Sequence, residues 1–267
     1  MDSAFGSYDF EGFGENQKEL QRLRLQARAA MDLEKKMLDE AGLRSGMDVL
    51  DLACGPGIIT TCLAEMAAPG RVVGIDLSEQ LLREAERHAE QAGISNIEFL
   101  QDDVYRLNLP ESSFDFVYSR FLFQHLEDPS LALGNVYRIL RPGGTVCLLD
   151  VDDTWLTLYP EPAGFSSFTA AAAAGQAASG GDRFVGRKLG RYLQQAGFGA
   201  VHVRVETVTS RLLGMRTFLD ITTGFKREQI PSEQRRKAQA DLESIYSLQE
   251  NPHAWGFVAV FCASGKR

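Results

Sequence analysis

The stretch "VLDLACGPGIITTCLAE", residues 49–65, runs from an apolar segment through two closely spaced glycines into a helical pattern. In open α/β sheets, ligands bind beyond the carboxyl ends of the strands, where such a turn lies. Gly55 and Gly57 let the backbone approach a ligand, although a tight turn without a ligand has the same outline. A dinucleotide site needs a third glycine where this chain has Thr60. The stretch therefore indicates a nucleotide-like ligand and disfavours a pyrophosphate.

Strand and helix patterns alternate along residues 43–153. The short apolar runs are apolar throughout, which is typical of strands buried on both faces of a parallel sheet with helices on either side. The expected strands span 47–53, 71–77, 96–103, 114–121 and 145–153, with helices over 58–67, after Ser78 and over 130–140. The sequence thus predicts a doubly wound α/β core with right-handed connections.

The remaining segments are expected to cover this core. Residues 15–43 have the pattern of one amphipathic helix that stops at Gly42, and we interpret 1–42 as an N-terminal helical lid before a domain over 43–267. Cap insertions are predicted at about 153–182, as a loop and a helix, and at about 211–249, as helices. An alternating sixth strand over 200–210 and a seventh over 255–264 complete the pattern.

Composition excludes several classes of function. The 267-residue chain has a formal net charge of −8, whereas a sequence-independent grip on nucleic acid needs clustered Lys and Arg. The most basic stretch, 224–239, interleaves Glu and Gln and is interpreted as a solvated helix face. The four cysteines are scattered, which supports neither a zinc site nor a disulfide. With no signal peptide and no run of roughly eighteen apolar residues, we expect a cytoplasmic protein without a metal, membrane or nucleic-acid partner.

Acidic residues lie at or near the ends of three successive strands. Asp76 can accept hydrogen bonds from both hydroxyls of a ribose. Asp102 or Asp103 can bind the exocyclic amine of an adenine while the Val104 N–H meets a ring nitrogen. Asp51 needs either backbone N–H groups of the turn or a cationic ligand group, because an unpaired buried carboxylate is costly. Together they predict a ligand with hydroxyls and positive charge, such as a sulfonium with an amino-acid tail.

Five motifs in series resemble one family. "VLDLACGPG", "GIDLS", "FLQDDV", "FDFVYSRFLFQHLEDP" and "LRPGG" occur in the order and at the spacings of class I S-adenosylmethionine-dependent methyltransferases, in the branch that modifies small molecules. The resemblance covers residues 43–153 and continues over 184–210 and 255–267. It implies a Rossmann-like, seven-stranded, mostly parallel sheet with an antiparallel last strand and helical cap insertions. It also implies S-adenosylmethionine as cofactor, S-adenosylhomocysteine as product and a small-molecule substrate.

The resemblance assigns residues to the methionine end of the cofactor. Gly55 and Gly57 would lie against the methionine part, with Asp51 close by. Ser119 and Arg120 end the fourth strand beneath it, where the Arg120 guanidinium can pair with the cofactor carboxylate. These assignments come from the motif positions and are expectations for the structure.

The resemblance also assigns the nucleoside end. Asp76 would hold the ribose, Leu77 would pack on the adenine, and Asp103 with Val104 would bind the adenine edge, Asp102 being less favoured. Tyr8, in the leader, is hypothesised from its position to fold over the cofactor as a lid with its ring near the sulfonium.

Methyl transfer from a sulfonium is an in-line displacement with an activated leaving group, so alignment and exclusion of water are the main tasks. For an O or N acceptor that carries a proton, His125 is the candidate catalytic base, with Glu127 and Asp128 able to set its tautomer. The alternative is that His125 caps the following segment or pairs with one of those carboxylates.

The variable segments are rich in aromatic residues, which favours an apolar or aromatic acceptor, although the same residues could simply pack the cap on the core. O- or N-methylation is favoured and C-methylation stays open. Two alternatives are a non-catalytic S-adenosylmethionine-binding protein and a nicotinamide-dependent oxidoreductase, the latter weakened by the missing third glycine. The chain is expected to be a monomer or a homodimer.

Overall fold

The computed structural model of the chain describes Ser7, Phe10 and residues 16–267. One sheet is formed by β1 (Val49–Leu52), β2 (Val72–Asp76), β3 (Ile97–Gln101), β4 (Phe114–Arg120), β5 (Leu140–Tyr159), β6 (Gly199–Thr209) and β7 (Trp255–Lys266). The strand order is β3-β2-β1-β4-β5-β7-β6. Strands β1 to β5 pair in parallel, and β7 is antiparallel to both β5 and β6. This confirms the predicted doubly wound sheet with an antiparallel last strand.

Helices cover both faces of the sheet and form the cap. They are α1 (Asn16–Ala29), α2 (Met31–Ala41), α3 (Ile58–Ala67), α4 (Glu79–Ala92), α5 (Pro129–Ile139), α6 (Phe165–Ala178), α7 (Leu189–Gln195), α8 (Ser210–Leu213), α9 (Met215–Thr222) and α10 (Arg235–Tyr246). One apolar core packs α2, α3, α6, α9 and α10 on one face of the sheet, and a second core packs α5 and α7 on the other. No helix in residues 16–267 is long and apolar enough to cross a membrane.

Local signals fix where the core helices begin. Ser78 caps α4 by accepting a hydrogen bond from Leu81 N (3.3 Å), as the sequence predicted. Asp128 caps α5 by accepting from Ser130 N and Leu131 N at 3.0 Å. Since each cap lies just after a strand or a turn, the two helices start close to the carboxyl edge of the sheet.

Three predicted elements differ from the structure. The single helix expected over 15–43 is broken at Ala30, whose φ of −128° leaves the helical region. The helix expected over 130–140 ends at Ile139, and β5 begins at once. Strand β5 runs on to Tyr159 instead of giving way to a loop after residue 153, because Leu156 to Tyr159 pair with Trp255 to Val258 of β7 beyond a bulge. That partner lies about a hundred residues away, so no local pattern revealed it.

Candidate active site

A cavity of about 980 Å³ lies at the carboxyl ends of β1 to β4, with α1 and the cap on its other side. This volume is at the upper end for small-molecule sites. Gly57 and Ser119 do not line it, and Tyr8 lies outside the described residues. The predicted site residues that do line it are Asp51, Gly55, Asp76, Leu77, Asp103, Val104, Arg120 and His125.

Asp76 holds the glycine turn in place. Its Oδ2 accepts a hydrogen bond from Gly55 N (2.9 Å), and its Oδ1 accepts one from Ser78 N (3.0 Å). Gly55 has a φ of +55°, and a Cβ added there would meet no atom within 4 Å, so the turn presents bare backbone to open space. Burial raises the pKa of Asp76. Each carboxylate oxygen keeps a lone pair for a ligand hydroxyl.

Thr60, at the position of the missing third glycine, has a polar role. Its Oγ1 donates a 2.7 Å hydrogen bond to Oδ2 of Asp51, and both side chains are buried. Thr60 therefore takes the place of the turn N–H groups that were expected as partners of Asp51, and a cationic ligand group beside Asp51 stays a prediction. Burial raises the pKa of Asp51 to about 7. A cation bound beside Asp51 would therefore favour its ionised form.

Gly57 and Ser119 lie away from the cavity. A Cβ on Gly57 would come within 2.6 Å of the Ala85 Cβ, so the missing side chain makes room for α4 to pack against the start of α3. Ser119 is 1% exposed, and its Oγ has no hydrogen-bond partner among the described residues. The structure therefore gives Gly57 a packing function and leaves the cofactor role of both residues a prediction.

Leu77, Asp102 and Asp103 lie where the nucleoside end of the cofactor is expected. Leu77 is 51% exposed where it lines the cavity, so its side chain offers apolar surface to a ligand. Asp102 uses both oxygens to close its own loop, accepting from Asp103 N (2.9 Å) and Asn108 N (3.0 Å). The Asp103 carboxylate accepts only from Tyr105 N (2.9 Å) among the described residues. Asp103 therefore has more capacity for an adenine amine than Asp102.

Arg120, expected to pair with the cofactor carboxylate, already has protein partners. Its Nε donates to Glu34 Oε2 (2.9 Å), its Nη2 donates to Gln26 O (2.9 Å), and its guanidinium lies 4.3 Å from the centre of the Phe121 ring. Glu34 also accepts a hydrogen bond from the Tyr118 hydroxyl. Sequence reasoning missed Glu34, although a glutamate on the apolar stripe of the N-terminal helix was the available signal. These contacts attach α1 and α2 to the end of β4.

His125 is held by partners that the sequence did not suggest. Its Nδ1 lies 2.9 Å from Ser7 Oγ and 3.4 Å from Gln176 Nε2. Asp128, expected to set the His125 tautomer, instead caps α5. Burial lowers the pKa of His125 to about 3, with Arg183 and Arg22 adding to the effect. The imidazole is therefore uncharged near neutral pH.

A second cavity of about 60 Å³ adjoins the first beneath the cap. The two share the lining residues Gln26, Arg120, Phe121, Gln124 and Phe225. The walls of the inner cavity are mainly apolar side chains of α2, β5, β7 and the cap, including Leu33, Met37, Leu149, Val151, Val258 and Val260.

Besides the Glu34–Arg120 pair, three buried charged side chains interrupt these walls. Arg183 binds Asp153 through two hydrogen bonds of 2.9 and 2.8 Å, and Lys226 Nζ lies 2.8 Å from Asp153 Oδ2. Lys226 is 1% exposed, so the interpretation of 224–239 as a solvated face is wrong for this residue. Burial tends to raise the pKa of Asp153, yet the positive charges of Arg183 and Lys226 lower this pKa to about 2. Burial lowers the pKa of Lys226 to about 8, although Asp153 counteracts it.

Comparison with known proteins identifies the family. The family described as a methyltransferase domain matches residues 43–197, more than half of the chain, so the chain belongs to it. Demethylmenaquinone methyltransferase of Lactococcus lactis is 33% identical over 127 residues, covering 47% of this chain and 50% of that protein. The chain spans about half the length of the curated relatives it matches.

Solved structures share the fold of this chain. An S-adenosylmethionine-dependent methyltransferase from Aquifex aeolicus has a TM-score of 0.54 and 23% identity, covering 74% of this chain and 92% of that one. Phosphoethanolamine N-methyltransferase 2 of Haemonchus contortus, in complex with S-adenosyl-L-methionine, has a TM-score of 0.64 and 18% identity, covering all of this chain and 60% of that one. The fold is that of the class I S-adenosylmethionine-dependent methyltransferases, whose cofactor is S-adenosylmethionine.

The residues of the large cavity fit this cofactor. Asp51, Asp76 and Asp103 bring carboxylates to one cavity, which favours hydroxyls and positive charge, and Gly55 offers open backbone between them. A leucine exposed in the cavity suits an adenine face. No group of three or more metal-ligating side chains occurs in the part of the chain that the structure describes.

Proposed function

We propose that this chain is an S-adenosylmethionine-dependent methyltransferase that acts on a small, apolar or aromatic molecule, with oxygen or nitrogen as the favoured acceptor atom and carbon as a further possibility. The observation that carries the proposal is the large cavity in which Asp51, Asp76 and Asp103 surround the glycine turn. A relative named demethylmenaquinone methyltransferase supports a small-molecule acceptor.

Within this proposal, the strand ends hold the cofactor. Asp76 binds the ribose hydroxyls, Leu77 packs on the adenine, and Asp103 with the Val104 N–H binds the adenine edge. Asp51 and the Gly55 backbone lie at the methionine end, where Arg120 provides a guanidinium for the carboxylate. S-adenosylmethionine supplies a methyl group already activated on a sulfonium. The protein's remaining tasks are to align the acceptor and to exclude water.

The cap and α1 supply the acceptor side. Phe121 and Phe225 line both cavities and offer apolar surface to the acceptor, while Gln26 and Gln124 offer polar groups at the same boundary. His125 lines the large cavity and is the proposed base for an acceptor that carries a proton. Its low pKa keeps it unprotonated at neutral pH but makes it a weak base, so an acidic acceptor suits it best.

Replacing Asp76 tests the proposal. Asp76→Ala removes the proposed ribose ligand and the two hydrogen bonds that hold the turn, so S-adenosylhomocysteine should bind about 1–3 kcal/mol more weakly. The matched control is Glu79→Ala, which removes a negative charge from an exposed side chain three positions along the chain. Calorimetric titration of the three proteins measures the difference. Equal affinity of Asp76→Ala and the parent would refute the assignment of Asp76.

Turnover is measured separately. S-adenosylhomocysteine release and a mass gain of one methyl group are followed with a panel of phenols, quinols and aromatic amines. Binding of S-adenosylmethionine without turnover on any acceptor supports the non-catalytic alternative. Binding of a nicotinamide cofactor in place of S-adenosylhomocysteine would contradict the proposal altogether.

A further inference from the structure

The buried charges of the inner cavity do not sum to zero. Asp153 carries one negative charge, whereas Arg183 and Lys226 each carry one positive charge. All three side chains are at least nine-tenths buried. An uncompensated charge in apolar surroundings is costly, and proteins compensate it with a partner or a ligand.

The hydrogen-bonding capacity of the cluster is also incomplete. Each nitrogen of the Arg183 guanidinium has a partner, because Nη1 donates to Gln124 Oε1 (2.7 Å) and lies 3.4 Å from Gln176 Oε1, while Nε and Nη2 donate to Asp153. Lys226 Nζ has three N–H donors. Asp153 is its partner among the described residues, which leaves donors of the ammonium group for a further acceptor.

Neighbouring carboxyl groups do not supply the missing charge. Glu34 pairs with Arg120, so that pair is neutral. Asp150 uses its two oxygens to accept Val151 N (2.9 Å) and Gln124 N (3.0 Å), and burial raises its pKa to about 7, so it is only partly ionised near neutral pH. A surplus of positive charge therefore remains at the inner cavity.

We propose that the inner cavity binds an anionic oxygen of the methyl acceptor, as a phenolate, enolate or carboxylate, through the Lys226 ammonium, with Arg183 reinforcing the charge from behind Asp153. The proposal rests on the proposed function and narrows its substrate class to acidic, largely apolar molecules. The inner cavity has room for only a few water-sized groups, so the anionic end enters it. The apolar body then lies along Phe121 and Phe225 toward the large cavity. Low-polarity walls strengthen the attraction between the ammonium and the anion.

Benzoate and its neutral isostere benzamide test the charge preference. With the cofactor end filled by saturating S-adenosylhomocysteine, the parent protein should bind benzoate at least tenfold more tightly than benzamide. Lys226→Met removes the ammonium and retains the Asp153–Arg183 pair, so benzoate affinity should fall at least tenfold while benzamide affinity changes less than twofold. The matched control is Lys237→Met, which removes an exposed lysine of α10 and should leave both affinities unchanged.

The outcomes separate this proposal from the proposed function. Equal binding of benzoate and benzamide by the parent overturns the anion site without requiring any variant to fold. A parallel loss of both probes in Lys226→Met overturns the role of its charge. S-adenosylhomocysteine binding by Lys226→Met reports whether the cofactor site is intact. The proposed function fails and the anion site stands if two results are found together. The parent does not bind S-adenosylhomocysteine, and in its absence the parent binds benzoate more tightly than benzamide, a preference that Lys226→Met removes.

Discussion

The hydrogen bond between Thr60 and Asp51 makes a pH-dependent contribution to stability that can be measured. Thr60→Val removes the hydroxyl that donates at 2.7 Å to Asp51 Oδ2 and keeps the side-chain shape, so no cavity opens. The pKa of Asp51 is about 7, so the carboxyl is mostly ionised at pH 8.5 and mostly protonated at pH 5.5 in the folded protein. The lost bond is therefore charge-assisted at the higher pH and neutral at the lower pH.

The magnitude follows from these two states. A hydrogen bond to a charged group contributes about 1.5–3 kcal/mol, and a neutral one about 0.5–1.5 kcal/mol. Burial raises the pKa of Asp51 in the folded protein, so ionising this carboxyl lowers the free energy of unfolding. The cost is complete above about pH 7 and fades as the pH falls toward the ordinary pKa of an aspartate. Thr60→Val enlarges that cost, so the free energy of unfolding should fall by about 2 kcal/mol at pH 8.5 and by about 1 kcal/mol at pH 5.5.

Urea unfolding of the parent and the variant at both pH values measures the effect. Thr61→Val is the matched control, since Thr61 Oγ1 donates at 2.8 Å to Ile58 O, a backbone carbonyl within α3 that does not titrate. Its effect should be the same at both pH values. A Thr60→Val effect that is independent of pH, or equal to that of Thr61→Val, would refute the reasoning about Asp51.

Two further predictions concern the same site. The affinity for S-adenosylmethionine, measured by calorimetry, should rise as the pH increases from 6 to 8, because a cationic ligand binds better once Asp51 ionises. Asp51→Asn should flatten this pH profile. An equally steep profile in the variant would contradict the role of Asp51. A loss of kcat below about tenfold in His125→Gln would reject His125 as the proposed base, since we expect the loss of a general base to cost about 10²–10⁴-fold. The pH–rate profile of the parent should show no His125 titration between pH 5 and 8.

Much of the fold was predictable because its signals are local. Apolar runs, caps and glycines act over a few residues, so the alternation over 43–153 and the capping by Ser78 could be derived without tertiary information. The acids near the ends of the parallel strands could likewise be expected to meet at one edge. The extension of β5 to Tyr159 could not be predicted in this way, because β7, the strand that pairs with it, lies at the other end of the domain.

The chemistry of individual side chains depended on distant neighbours. The hydrogen bond between Thr60 and Asp51 joins residues on opposite sides of the glycine turn. In the sequence, Thr60 was notable only as the residue in place of the third glycine of a dinucleotide site. Asp153, Arg183 and Lys226 come from a strand, a loop and the cap, and no pattern in the sequence indicated that they meet. Periodicity reports which face of an element is buried, but the partner of a buried charge is decided by how remote segments pack. The amino-acid sequence alone therefore predicts the sheet and the edge where its acidic residues meet, and only the folded chain reveals the charged inner cavity.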